Sequence, residues 1–197
     1  MFHLSVSICA TKKGSGNTYL ISTDNKKYIA KMHERVDFLR IYEKSSQALI
    51  RNGFRMSRII KTKSNDSCTD DGVALYEFID GDCLRVLNWT QTRNAIRYVK
   101  KFNEVLRTVS FSSEEIENKN AWDFAKSIDF LSGYFMNKYR PLITDVCRIE
   151  LITAINILLT NKDKLDNQPR QLIHSDLGAD NFVFCGNEVE SIIDFTP

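Results

Sequence analysis

Several features that would assign this chain to a special class of protein are missing from its sequence. It has only three histidines, and its five cysteines, at positions 9, 68, 83, 147 and 185, nowhere form a C-x-x-C pair. Zinc sites usually combine closely spaced cysteines and histidines, so this pattern argues against one. An odd number of scattered cysteines is typical of reduced thiols, which predicts a cytoplasmic protein.

Long apolar runs and a strong charge bias are also missing. No apolar run is long enough to cross a membrane, and the first residues lack the basic region and apolar length of a signal peptide. The formal net charge of +2 is too small to indicate nucleic acid or an anionic membrane as a partner. Hydrophobic residues make up 43% and charged residues 26% of the chain, as in ordinary globular proteins that bury a core.

The order of the predicted elements divides the chain near residue 80. Residues 1–80 contain one helical segment, which covers 36–50 and stops at Asn52 and Gly53. Around it lie short strand-like segments, among them 18–23, 28–32, 57–62 and 73–79. Residues 81–197 are mainly helical, followed by a polar loop at 161–169 and by strand-like segments that begin at 171–174. The predicted helices of this second region cover about 91–109, 121–136 and 143–159. The sequence therefore predicts an α+β fold with two regions, 1–80 and 81–197.

The strongest chemical signal lies in the last 25 or so residues. His174 and Asp176 form an H-x-D unit, Asn181 follows five residues after Asp176, and Asp194 follows thirteen residues after Asn181, beyond a predicted hairpin. Phosphoryl transfer from ATP needs a carboxylate near the acceptor hydroxyl and oxygen ligands for magnesium. One carboxylate and one amide are sufficient protein ligands for Mg²⁺, which keeps several waters.

This spacing predicts a role for each residue. Asp176 is expected to orient or deprotonate the acceptor, Asn181 and Asp194 to bind Mg²⁺, and His174 to brace the loop by hydrogen bonds. Taken singly, Asp176 and Asn181 are also ordinary turn residues, and Asp194 is an ordinary residue at a strand end. Their joint spacing favours the functional interpretation.

The segment resembles the H-G-D-x-x-x-x-N and I-D-[FW] motifs of the aminoglycoside phosphotransferase and choline kinase-like family. Ser175 stands where this family often has glycine. Protein kinases usually have arginine there and a D-F-G motif, whereas Asp194 and Phe195 are followed here by Thr196. The resemblance implies a protein-kinase-like two-lobe fold: an N-terminal lobe with an antiparallel sheet and one helix, and a mainly helical C-terminal lobe that is cut short.

The resemblance extends to the nucleotide-binding residues. Lys31, in a predicted strand, resembles the lysine that holds the ATP phosphates, and Glu43, in the following helix, resembles its acidic partner. Glu34 and Asp37 are alternatives to Glu43, and Lys31 also fits a solvated lysine at a strand end.

Two further segments complete the predicted nucleotide site. Gly14, Ser15 and Gly16 resemble the loop over the phosphates, although the same residues fit a simple hairpin turn. Glu77, Phe78 and Ile79 resemble the hinge whose backbone binds adenine.

The predicted function is transfer of the γ-phosphate of ATP to a hydroxyl of a small molecule such as an aminoglycoside, choline or homoserine. The sequence does not identify the acceptor or the oligomeric state, and it leaves ATP and GTP open. The family's chain continues past the metal-binding aspartate, whereas this one stops at Pro197. We therefore expect little activity from these residues alone and exposed apolar surface on the helix at 143–159. The alternative is a truncated, inactive member that binds nucleotide or a partner.

Overall fold

A computed structural model describes residues 9–12, 18–34, 36–112, 115, 133, 144–166 and 171–195. These residues fall into two compact units, one formed by 1–111 with 172–197 and the other by 112–171. The predicted division at residue 80 remains a prediction. The predicted helix at 121–136 and the glycine-containing loop at 14–16 lie outside the described residues.

The first unit contains a five-stranded antiparallel sheet. Its strands are β1 (Cys9–Lys12), β2 (Thr18–Ser22), β3 (Lys27–Met32), β4 (Ile59–Ile60) and β5 (Val73–Glu77), in the order β1-β2-β3-β5-β4. Lys31 on β3 pairs with Thr18 on β2 and with Ala74 on β5, so it occupies a central strand. The predicted strand at 57–62 is limited to the two residues of β4.

Helix α1 (Asp37–Arg51) lies between β3 and β4 in the chain and buries Leu39, Tyr42 and Leu49. It ends where the sequence predicts. Gly53 adopts a left-handed φ of 84°, its N–H donates to the carbonyl of Ile50, and the N–H of Phe54 donates to the carbonyl of Leu49. This is a Schellman motif, which satisfies the last carbonyls of a helix and favours glycine at the left-handed position.

Helix α2 (Trp89–Leu106) begins with a capping box. Asn88 Oδ1 accepts from the N–H of Gln91 at 2.9 Å, and Gln91 Oε1 accepts from the N–H of Asn88 at 3.0 Å. The Gln91 amide also donates to the carbonyl of Gly186 at 3.0 Å, and Asn94 donates to the carbonyl of Asn187 at 3.1 Å. The helix start therefore holds the turn of a hairpin formed by the last two strands.

That hairpin consists of β6 (Phe182–Cys185) and β7 (Glu188–Ile192), preceded by a single 3₁₀ turn (Ala179–Asn181). Phe184 exchanges two backbone hydrogen bonds with Asp82, both 2.9 Å. Ser191 Oγ donates to the carbonyl of Arg55 at 2.6 Å. The hairpin is thus tied to three separate parts of the first unit, which matters because it leads directly to Asp194. The predicted strand at 171–174 has no strand pairing in the structure.

The described part of the second unit contains α3 (Asp145–Thr160) and a short helix α4 (Lys162–Asp166). The polar loop predicted at 161–169 therefore begins with a helical turn. Thr144 caps α3 through Oγ1, which accepts from the N–H of Cys147 at 3.3 Å. Among the apolar side chains of α3, Ile155 is buried, whereas Val146 and Ile149 are exposed. No described helix is both long and apolar enough to span a membrane.

Gly81 allows the hairpin to approach the segment after β5. Its φ is 148°, and an added Cβ would lie 2.5 Å from a methyl group of Val183 and 2.7 Å from the carbonyl oxygen of Phe184. A side chain at this position would therefore have to push β6 away.

We expect Gly81→Ala to destabilise the protein more than Gly53→Ala. Gly53, with φ of 84°, lies in the left-handed region, which costs an L-residue roughly 1–2 kcal/mol, whereas Gly81, with φ of 148°, has a conformation that L-residues adopt still more rarely. A Cβ at Gly53 meets no atom within 4 Å, so the difference in the free energy of unfolding, measured by urea denaturation, reports the additional backbone and steric cost at Gly81. Equal losses for the two variants would contradict the proposed close approach.

Candidate active site

His174 is buried beneath the loop that precedes β6, with only 3% of its surface exposed. Its Nδ1 lies 3.2 Å from the backbone nitrogen of Asp176, and its Nε2 lies 3.0 Å from the carbonyl oxygen of Ile193. A backbone N–H can only donate and a carbonyl can only accept, so Nδ1 accepts and Nε2 carries the proton. The imidazole is therefore neutral and links the loop to the end of β7.

The environment of His174 favours this neutral form. Burial lowers the pKa of the imidazole below its ordinary value of 6.5, while the Ile193 carbonyl and the carboxylates of Asp194 and Asp176 act in the opposite direction. Protonation would place a hydrogen on Nδ1, where it would meet the N–H of Asp176. The two hydrogen bonds of His174 are of the kind that a bracing role requires, and that role stays a prediction.

Asn181 ends the loop and is held at two points. Its side-chain nitrogen donates to the carbonyl of Asp176 at 2.8 Å, and its own carbonyl accepts from the N–H of Ile193 at 2.9 Å. Because the amide nitrogen faces Asp176, the amide oxygen faces away from that carbonyl. The backbone bond to Ile193 places Asn181 beside the residue that precedes Asp194.

Asp194 follows β7 in a left-handed conformation, with φ of 56°. Aspartate and asparagine tolerate this region better than most residues, so the side-chain type suits the backbone. Its carboxylate forms an ion pair with Lys31 of β3. The side chains are 31% and 48% exposed for Lys31 and Asp194, so solvent screens the pair, and we assign it little stabilising energy.

These residues surround one cavity of about 600 Å³. Lys31, Asn181 and Asp194 line it, and the three predicted hinge residues, Glu77, Phe78 and Ile79, line it as well. Residues from three predicted motifs therefore meet in one place, although more than 100 positions separate Asn181 from both Lys31 and the hinge. Asp176 lies on the adjoining loop and is exposed.

Glu43 is placed differently from the sequence prediction. Its carboxylate forms an ion pair with Lys61 and accepts a hydrogen bond from Ser67 Oγ at 2.8 Å. Lys31 is paired with Asp194 instead. In this structure Glu43 is therefore not the acidic partner of Lys31, because it pairs with Lys61 in the segment after β4.

Sequence reasoning missed two aromatic residues in this cavity. His33 and Tyr76 both line it, and Tyr76 Oη lies 2.8 Å from His33 Nε2. The signal for His33 was present, since a residue two positions after Lys31 in an extended segment points to the same face of the sheet.

Comparison with known proteins assigns the chain to a class. The model of the family described as "Phosphotransferase enzyme family" matches residues 7–197, so the chain belongs to that family. A search of curated proteins found no significant match.

Solved structures share its fold. Aminoglycoside 2′-phosphotransferase-IIIa in complex with GDP matches with a TM-score of 0.65 and 18% identity over 97% of this chain and 67% of its own. An amicoumacin kinase in complex with AMP-PNP, Ca²⁺ and its ligand matches with a TM-score of 0.65 and 15% identity over 94% of this chain and 58% of its own. An aminoglycoside phosphotransferase from Alicyclobacillus acidocaldarius matches with a TM-score of 0.65 and 14% identity over 99% of this chain and 63% of its own.

The chain therefore has the protein-kinase-like fold of aminoglycoside phosphotransferases, as its motifs predict. It spans between 58% and 67% of the length of the three solved proteins. The predicted antiparallel sheet with one helix is confirmed in the described residues.

The burial of His174 predicts a specific dependence of stability on pH. Its pKa is lower in the folded chain than in the unfolded one, so the unfolded chain binds more protons between the two values. The stabilisation is complete above about 6.5, the ordinary pKa, and is lost as the pH falls from there through the folded-state pKa. NMR titration should give a midpoint below 6.5 for the His174 ring, and the urea midpoint of the protein should fall over the same range. A ring titrating at or above 6.5 would contradict this assignment.

Proposed function

We propose that this chain is the nucleotide-binding and catalytic part of a kinase that transfers the γ-phosphate of ATP to a hydroxyl group of a small molecule. The observation that carries the proposal is the convergence of Lys31, Asn181 and Asp194 on one cavity that also contains the hinge. Family membership supports the reaction class. Similar proteins described with GDP and with AMP-PNP support a nucleotide as the phosphate donor.

The cavity offers different chemistry at its two ends. At the hinge end, the N–H groups of Glu77 and Phe78 already donate to the carbonyls of Arg58 and Lys27, so we assign the edge of a purine to the Phe78 carbonyl and the backbone of Ile79. Phe78 and Ile79 also present apolar surface. At the other end, the ammonium of Lys31 is the cation that we assign to the phosphates. The ion pair with Asp194 would keep this ammonium in place before a nucleotide arrives.

The side chains of Asn181 and Asp194 fit a magnesium ion. They supply an amide oxygen and a carboxylate on the same cavity, which are the hard oxygen ligands that Mg²⁺ prefers. The side-chain nitrogen of Asn181 donates to the Asp176 carbonyl. The amide oxygen of Asn181 therefore points away from that carbonyl and is the atom that we assign to the metal. Bound magnesium would neutralise negative charge on the phosphate oxygens during transfer.

Asp176 is assigned to the acceptor. Its carboxylate would receive the proton of the acceptor hydroxyl as that oxygen forms a bond to the γ-phosphorus. The bond between the γ-phosphorus and the bridging oxygen breaks at the same time, and ADP leaves with the electron pair. The backbone N–H of Asp176 donates to His174, and its carbonyl accepts from the Asn181 side chain. These two hydrogen bonds fix the backbone that carries the carboxylate.

The acceptor class is tested by activity. The purified chain, incubated with Mg·ATP, should transfer ³²P to at least one compound in a panel of aminoglycosides, choline and homoserine, at the low rate that we expect of these residues alone. Binding of AMP-PNP, measured by calorimetry, tests the nucleotide site separately. A chain that binds AMP-PNP without transfer to any member would support a nucleotide-binding module over a kinase.

We expect Asp176→Asn to abolish most transfer while nucleotide binding remains. A positioned acid–base group contributes on the order of 10²–10⁴ in rate, and Asp176 lies outside the lining of the nucleotide cavity. Turnover measured with the active acceptor gives the loss, and AMP-PNP affinity gives the control. Asp24→Asn, in the exposed turn between β2 and β3, should change neither. Near-normal turnover in Asp176→Asn would refute the role assigned to this residue.

Asp194→Asn should remove most of the effect of magnesium on nucleotide binding. Asparagine tolerates the left-handed backbone of this position, so the substitution removes the charge while keeping the conformation. The measurement is the affinity for AMP-PNP with Mg²⁺ and with EDTA. Wild type should bind more tightly with Mg²⁺, and the variant should bind nearly equally in both. An unchanged magnesium effect would exclude Asp194 as a ligand.

A further inference from the structure

His33 lies in the nucleotide cavity but has no role in the chemistry described above. Its backbone N–H donates to the carbonyl of Gly72 at 2.9 Å, which extends the pairing of β3 with β5 one step beyond Met32. Side chains alternate along an extended segment, so His33 points to the same face as Lys31. It therefore occupies a position further along the sheet, beyond the lysine assigned to the phosphates.

The imidazole of His33 holds the hydroxyl of Tyr76. Tyr76 pairs with Ile29, and His33 lies opposite Gly72. The two residues are therefore on neighbouring strands, four positions apart along the strand direction. They lean toward each other across Ala74, whose methyl group is fully buried and leaves room for the contact. The resulting distance from Tyr76 Oη to His33 Nε2 is 2.8 Å.

The ring of Tyr76 is also held from another side. Tyr42 of α1 packs edge-on against it, with ring centroids 5.5 Å apart and an angle of 87°. The hydroxyl of Tyr42 donates to the carbonyl of Ser57, which fixes that ring in turn. Tyr76 directly precedes the hinge residues 77–79, and its side chain lines the cavity. The ring therefore starts at the end assigned to the base and extends toward His33.

The hydrogen bond joins two neutral groups. Burial raises the pKa of the Tyr76 hydroxyl, and burial together with the Lys31 ammonium lowers the pKa of the His33 imidazole. Tyr76 is only 9% exposed, so loss of its partner would leave a buried hydroxyl without a hydrogen bond.

We propose that His33 is a positioning residue for nucleotide binding, which fixes the ring of Tyr76 as the wall at the base end of the cavity. His33 thereby sets the affinity for the nucleoside part of ATP, whereas Lys31 sets the affinity for its phosphates. This inference rests on the proposed function, since it assumes that the cavity binds a nucleotide.

Separate probes for the two ends of the nucleotide test the inference. Dissociation constants of wild type, His33→Leu and Lys31→Ala are measured for AMP-PNP, for adenosine and for inorganic tripolyphosphate. His33→Leu should weaken adenosine and AMP-PNP by a similar factor, about tenfold for one lost hydrogen bond and a buried hydroxyl, and leave tripolyphosphate unchanged. Lys31→Ala should show the opposite pattern, with weaker tripolyphosphate and unchanged adenosine.

Further variants distinguish a positioning role of His33 from a general loss of structure. His33→Gln retains a hydrogen-bonding group and should recover much of the adenosine affinity. Tyr76→Phe removes the same bond from the other side, so it should add little to His33→Leu in a double variant, and it carries the test if His33→Leu does not fold. Tyr19→Phe removes a partly exposed hydroxyl on β2 and should have no effect.

The possible failures are distinct. Equal weakening of adenosine and tripolyphosphate by His33→Leu, or additive effects of the two substitutions, would overturn the positioning role. An unchanged adenosine affinity in His33→Leu, with binding that still depends on Lys31, would overturn this inference alone. Absence of nucleotide binding by the wild-type chain would overturn both the proposed function and this inference.

Discussion

The buried imidazole of His174 is the constraint on which the rest of the candidate site depends. One nitrogen accepts from the N–H of Asp176, and the other donates to the carbonyl of Ile193. These two bonds join the loop assigned to the acceptor with the strand end that leads to Asp194, the carboxylate that we assign to magnesium. A lysine would be charged and a leucine would bond to neither group, so few residues could replace a neutral histidine here.

Aromatic packing extends this constraint to the nucleotide cavity. The ring of Phe195, the residue after Asp194, lies 5.5 Å from that of His174 and 6.1 Å from that of Tyr42. Tyr42 in turn packs against Tyr76, which bonds to His33. A continuous set of buried rings therefore runs from beneath the Asp176 loop to the inner wall of the cavity. Phe195 is buried and directly follows Asp194, whose backbone is left-handed.

Most of the local structure and the central motif could be predicted from the sequence. The end of α1 follows from Asn52 and Gly53, and strands β2, β3 and β5 follow from short apolar segments between turns. Other elements could not be predicted by periodicity. β4 pairs with β5 only through Ile59 and Ile60, and the described residues 171–174, predicted as a strand, form no strand in the structure. Of the apolar residues there, Leu172 packs against the core, whereas Ile173 is exposed.

By itself, the sequence determined which residue types are available for phosphotransfer and at what spacing, because His174, Asp176 and Asn181 lie on one short loop whose geometry is local. Only the tertiary structure decided the ion-pair partners. Lys31 pairs with Asp194 across 163 positions of sequence, while Glu43 pairs with Lys61 and with Ser67, 24 positions away. Several acids and bases of the chain could satisfy one another equally well by charge. Which of them meet depends on how the sheet, α1 and the final hairpin pack. Coulomb attraction depends on the distance between charges in space and not on their separation in the sequence.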